Sequence, residues 1–225
     1  LSKVGPVVAN GLAVGLAIVL AALSTPYLAG LTATVPDRDV TRWWLPTRAP
    51  TRRLAITGVT AVVLAALAGT ATGWSAAWPA YVALSLIGTT LFVIDVELHR
   101  LPNRLTATAA VAGAVLLTAA ALIDETWSAL ARVGTAAVVV FALFYVLALI
   151  SPRGVGLGDV KLAAVLAGYL AWFGWIEVVR GLGAAFVVAG FASITLLVAG
   201  RATRKTAIPF GPFLIGAAML VAALH

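Results

Sequence analysis

The chain has no cysteine, which excludes disulfides, a thiolate metal site and a cysteine nucleophile. Histidine is almost as scarce. One of the two histidines is the last residue, so a histidine-rich metal site is excluded too and no metal is expected. Charge is the third deficit: 10% of the 225 residues are charged, 15 basic and 8 acidic. Soluble domains carry about 25%. A soluble fold of this length must cover its surface with polar groups that this composition does not supply. Disorder is excluded for the opposite reason, because 62% of the residues are apolar and the mean hydropathy is +1.08. What is present is material for a bilayer.

Uncharged apolar stretches recur along the whole chain, and crossing a hydrocarbon core of ~30 Å takes about 20 helical residues. Eight spans are expected, at Pro6–Ser24, Ala55–Gly73, Trp78–Ile94, Leu105–Ile123, Val133–Ile150, Leu162–Ile176, Gly181–Ala199 and Ala207–Leu224. They lack the alternation of barrel strands, so helices are the solution that satisfies the backbone in lipid. The expected fold class is therefore all-α, a polytopic integral membrane protein of eight transmembrane helices. Residues 1–225 form one transmembrane domain, with a loop over 26–54 that carries Trp43 and Trp44 as an interfacial anchor. Gly183 and Gly190 are candidates for close helix approach.

Lysine and arginine set the orientation. The loops after spans one, three, five and seven hold 12 of the 15 basic residues: Arg38, Arg42, Arg48, Arg52 and Arg53, then Arg100 and Arg104, then Arg153 and Lys161, then Arg201, Arg204 and Lys205. The other side holds Lys3, Arg132 and Arg180. This split puts the basic face in the cytoplasm and both termini outside. The charge of +7 thus coats one membrane face, where it attracts anionic headgroups, and does not form a nucleic-acid surface. Reading the first span as a cleaved signal peptide would export the five-arginine loop, against the charge rule.

Ionisable groups at membrane depth are costly and therefore functional candidates. Of the acids, Asp37 and Asp39 fall in the long basic loop, and Asp124, Glu125 and Glu177 in outer turns. Asp95, Glu97 and Asp159 remain, at cytoplasmic helix ends. Asp95 directly follows Trp78–Ile94, and Asp159 precedes the short run Leu162–Ile176. Two carboxyl groups from different helices, brought together in a partly desolvated site, cannot both ionise cheaply. One then holds a proton near neutral pH while the other takes a proton from water, which is the logic of an aspartic protease. Gly154, Gly156 and Gly158 alternate just before Asp159 and permit close approach of a substrate main chain. No strand precedes them, so they do not make a nucleotide loop. Lys161 lies where it can stabilise the ionised pair or reach headgroups. His99 is placed to cap a helix end near Asp95, and Ser151 lacks the partners of a serine hydrolase.

The string Gly154-Val155-Gly156-Leu157-Gly158-Asp159-Val160-Lys161 resembles the GxGD motif of the type IV prepilin peptidases, a family of membrane aspartic proteases. Upstream, Asp95 and the following Leu101-Pro102-Asn103-Arg104-Leu105-Thr106 look like that family's first aspartate motif. Downstream, Ile208-Pro209-Phe210-Gly211-Pro212 is similar to its IPFGP signature. The three occur in family order, and the resemblance covers residues 78–225.

The resemblance implies that Asp95 and Asp159 are catalytic. It also implies cytoplasmic removal of the short basic leader of pilin-like precursors, just before their hydrophobic helix. Many bacterial members carry a cytosolic insert with paired cysteines, associated with methylation of the new amine. Residues 26–54 have no cysteine, so this chain resembles a short form without methyltransferase activity and without a cofactor. Two rival readings share the same acids. A presenilin-like or signal-peptide-peptidase-like protease would cut inside the bilayer, and a proton-coupled transporter would carry protons on Asp95 and Asp159.

Overall fold

The computed structural model describes residues 6–35, 43–151, 155–201, 206 and 208–225. Among these, eight α-helices form and no strand: α1 (Pro6–Thr34), α2 (Thr51–Thr72), α3 (Trp78–Leu98), α4 (Asn103–Asp124), α5 (Trp127–Ile150), α6 (Leu157–Phe173), α7 (Trp175–Val198) and α8 (Gly211–Ala223). Six of them, all but α6 and α8, are long and apolar enough to cross a membrane. The chain is a multi-pass membrane protein.

Helix boundaries depart from the sequence expectation at several ends, and three of the departures change where charged residues or the loop lie. α1 does not stop at Ser24 but runs through Pro26 to Thr34, so the first part of the expected loop over 26–54 is helical. Proline inside a membrane helix is tolerated because lipid offers the freed backbone carbonyl no partner that unwinding would improve, and here the carbonyl that loses its N–H partner is that of Ala22, four residues before Pro26. The second departure is at Gly174, whose extended backbone ends α6 and starts α7 in quick succession. Glu177 and Arg180, expected in an outer turn, therefore lie inside α7, with Glu177 buried and paired to Arg180 at 3.2 Å. A carboxylate in the first turn of a helix suits its positive end. The third departure is at α5, which starts at Trp127 and so takes in Arg132. Arg132 donates from Nε to the Ala171 carbonyl and from Nη2 to that of Trp172, each at 3.2 Å, capping the negative end of α6.

The short helices occupy the middle. α6 has 17 residues and α8 has 13, about 25 and 20 Å long. Most of α6 is buried, with α5 packed along it, while α3, α7 and α8 also touch one another or α6 within the bundle.

Aromatic ties lock α3, α6 and α4 together. Tyr81 Oη donates to the Tyr169 carbonyl at 2.6 Å, and Tyr169 Oη to that of Ala109 at 3.2 Å. The Tyr169 ring fits because Gly113 has no side chain: a Cβ there would stand 2.8 Å from ring atoms. Gly183 and Gly190 do not serve close approach, since a Cβ at either meets nothing within 4 Å. Of the expected tryptophan anchor, Trp44 is exposed, but Trp43 packs against the main core.

At one end of the bundle lie the C-terminus of α3 and the N-termini of α2, α4, α6 and α8, and with them Arg48, Arg52, Arg53, Arg100, Arg104 and Lys161. Arg132 and Arg180 sit near the opposite ends of their neighbours. Lys3, Arg38, Arg42, Arg153, Arg204, Lys205, Asp37 and Asp39 lie outside the described residues.

Candidate active site

Asp95 stands one turn before the end of α3 and is 4% exposed. His99 closes that helix in the left-handed region, at φ 51°, and its N–H donates to the Asp95 carbonyl at 2.9 Å. The negative end of α3 is a poor place for a carboxylate. The compensation comes from α8, whose first residue, Gly211, donates its N–H to Asp95 Oδ2 at 2.9 Å. That amide belongs to a helix N-terminus and has no partner within its own helix. Pro212 follows in the first turn of α8, where a missing N–H costs nothing. Gly211 also leaves the carboxylate room, because a Cβ there would stand 2.8 Å from Asp95 Oδ2.

Asp159 occupies the third position of α6, ahead of the apolar run that starts at Leu162. Its carboxylate accepts a hydrogen bond from the backbone N–H of Gly156, the residue that caps the helix. This is the acidic half of a capping box, in which a side chain three residues into a helix satisfies an orphan donor at its start. Burial, and then the charge of Asp95, push the Asp159 carboxyl up to about 6, against the lowering effect of the Gly156 hydrogen bond. The two acids are therefore close enough to feel each other, and Asp159 is half-buried.

Leu101 stands against both halves of the site. A Cβ on Gly158 would lie 3.0 Å from Leu101 Cβ, and one on Gly211 would lie 3.1 Å from Leu101 Cδ2. The turn from α3 to α4 thus packs on the starts of α6 and α8 at once. Beside it a cavity of about 420 Å³ is lined by Val35, Leu101, Pro102, Gly158 and the basic side chains Arg100 and Arg104.

The structure brings Asp95, Asp159, Gly156 and Gly158 to one end of the bundle; Gly154 lies outside the described residues. Lys161 turns to Asn103, donating from Nζ to Oδ1 at 2.9 Å, and so ties α6 to α4. Glu97 is held apart. Two residues along a helix from Asp95 is about 200° of rotation, and its carboxylate pairs with Arg53 of α2. Three contributors were not foreseen: the Gly211 amide, Leu101 as a spacer and Asn103 as the partner of Lys161. A glycine at the first position of a short helix was the available signal for the first of these.

Comparison with known proteins bears on the same segment. The sequence profile of the type IV leader peptidase family matches residues 82–224. Leader peptidase HopD of Escherichia coli is 32% identical over 148 residues, covering 63% of this chain and 88% of HopD. No solved structure matches the chain significantly. The match begins within α3 and ends one residue past α8, so it takes in both acids, the turn between α3 and α4 and the whole of α8. The chain belongs to the type IV leader peptidase family.

Proposed function

We propose that Asp95 and Asp159 form the catalytic pair of an aspartic endopeptidase. It removes the leader of type IV pilin-like precursors at the cytoplasmic face of the cell membrane. The observation that carries this reading is the arrangement of two carboxyl groups from separate helices. Each is held by the N–H of a glycine at a helix start, and they lie near enough for one charge to act on the other.

A water molecule between the carboxyl groups gives up a proton to the ionised member while its oxygen attacks the scissile carbonyl carbon. The protonated member donates a hydrogen bond to the carbonyl oxygen as charge develops there. The tetrahedral intermediate collapses when a proton passes to the amide nitrogen and the C–N bond breaks. The products are a leader carboxylate and a new amine. Burial of Asp95 and the two glycine amides fix both carboxyl groups before substrate arrives, so little reorganisation remains for the transition state.

The basic side chains at the aspartate end support a cytoplasmic orientation of the site. They also favour anionic headgroups on that face. Without the cysteine-paired insert, the new amine leaves unmethylated.

The test is incubation of the purified chain in lipid with a type IV pilin-like precursor, reading the masses of both products. Leader loss with an unmodified amine is expected. Fragments cut within the apolar helix would instead favour the presenilin-like reading, and an added methyl mass would overturn the peptidase-only reading.

A further inference from the structure

Among the described residues, two buried side-chain oxygens have no hydrogen-bond partner, Thr57 Oγ1 and Thr126 Oγ1. Thr57 is fully buried within α2. A threonine inside a helix ordinarily bonds the carbonyl four residues back. Thr25, Thr70, Thr89 and Thr108 all do so, at 2.9, 3.1, 2.7 and 2.8 Å. Thr57 does not, and a buried hydroxyl without a partner is costly.

Helix register shows what Thr57 faces. A Cβ on Gly88 of α3 would meet Leu64 of α2 at 3.9 Å and Ile215 of α8 at 3.3 Å. This face of α3 therefore looks into the junction of three mutually packed helices. α2 and α3 are joined by a short turn and run antiparallel. Thr57 is seven residues before Leu64, and Asp95 is seven after Gly88. Seven residues make two turns less about 20°, or about 10.5 Å. Both steps keep to the same faces and end at one level, which sets Thr57 across from Asp95. The neighbouring contacts agree. One turn before Thr57, Arg53 reaches Glu97, two residues past Asp95. From the third helix, Gly211 donates to Asp95 Oδ2.

The axes of packed helices stand about 8–10 Å apart. Threonine and aspartate are short, and the Thr57 hydroxyl bonds no group directly, so the gap between them suits one water. We infer that Thr57 is a positioning residue for the catalytic pair, sharing a buried water with the Asp95 carboxyl oxygen that Gly211 does not engage. The two oxygens of Asp95 are then held from two sides, by α8 and by α2. That fixes the plane of the carboxyl group before substrate arrives. The inference rests on the proteolytic reading above and adds a residue that lies ahead of the segment shared with the leader peptidases.

Thr57→Val keeps the shape of the side chain and removes the hydroxyl, whereas Thr57→Ser keeps the hydroxyl. In proteoliposomes, Thr57→Val is expected to lower kcat for leader removal about tenfold with KM unchanged, the order that one hydrogen bond to a charged group supplies. Thr57→Ser should restore most of that loss. Thr89→Val is the control, because its buried hydroxyl is already bonded to the Ser85 carbonyl, and its cleavage should not change. Carboxyl carbon NMR without substrate should show the Asp95 signal displaced in Thr57→Val and returned in Thr57→Ser. Normal cleavage by Thr57→Val, an equal loss in Thr57→Ser or Thr89→Val, or an unmoved Asp95 signal would each overturn the inference. Magnetisation transfer from water to Thr57 Cβ in the unsubstituted chain detects the shared water with no variant to fold, and its absence counts against the proposal equally. Failure of the unsubstituted chain to remove the leader refutes the proteolytic reading instead, while both NMR measurements still decide the contact between Thr57 and Asp95.

Discussion

Gly211 and Asp95, 116 positions apart in the chain, are joined by one hydrogen bond of 2.9 Å from the amide of the first α8 residue to Oδ2. The bond carries the positive end of one helix to an acid at the negative end of another. It also makes the start of α8 part of the site, although no side chain there reacts.

Gly211→Ala tests this relationship. The added Cβ would stand 2.8 Å from Asp95 Oδ2, so either the carboxylate or α8 must shift. Displacement of a reacting group by about 1 Å can cost about 10²-fold in rate. The expected result is a fall in kcat of that order with KM little changed, measured on leader removal from a full precursor.

The Asp159 carboxyl, pushed up to about 6 by burial and by Asp95, sets the sign of a pH dependence. On the proposed mechanism the pair keeps its shared proton below this value; above it that proton is lost, and with it the hydrogen bond offered to the scissile carbonyl. kcat/KM should therefore decline on the alkaline side with a midpoint near 6. In Asp95→Asn the neighbouring charge is gone, and the Asp159 carboxyl should move down, remaining above its usual value because burial persists. Carboxyl carbon NMR of labelled aspartate measures it.

Glu97 and Asp95 are separable by substitution. The Arg53–Glu97 pair is partly exposed, with side chains 23% and 25% accessible. Such a pair contributes at most about 1 kcal/mol. Glu97→Gln is expected to keep cleavage within about twofold, since about 0.4 kcal/mol corresponds to that factor. A loss matching that of Asp95→Asn would transfer the catalytic role to Glu97.

Gly113 and Tyr169 predict a compensating pair. A methyl on Gly113 would stand 2.8 Å from the Tyr169 ring, so Gly113→Ala overpacks the α4–α6 contact. The cost should be about 1–3 kcal/mol of stability. Tyr169→Ala relieves the clash, and adding Gly113→Ala to it should then cost almost nothing. Thermal unfolding of the four variants in one detergent closes the cycle.

How much of this was legible in advance differs by residue. Helix type and number followed from long apolar runs, because lipid leaves the backbone few choices. Boundaries did not, and for identifiable reasons. Pro26 reads as a stop by rules learned in water, yet α1 continues past it. Gly174 is one glycine among 21, and nothing local marks it as the break between α6 and α7. Asp95, Asp159 and the glycines before it stood out as strings, since acids at membrane depth are rare. The Gly211 amide was hidden inside a motif that seemed only to shape a turn. Its partner lies far away in sequence, and long-range pairing of this kind leaves no local pattern. Leu101 was unreadable for the same reason: an apolar residue in a turn has meaning only once three helices meet around it.

The most direct measurement is leader removal from a pilin-like precursor by Asp95→Asn and Asp159→Asn, each reconstituted in lipid beside the unsubstituted chain. Each substitution keeps the shape of the side chain but removes its capacity to share a proton. Cleavage should fall by about 10²–10⁴-fold or more in both. Unimpaired leader removal by either variant would contradict the account.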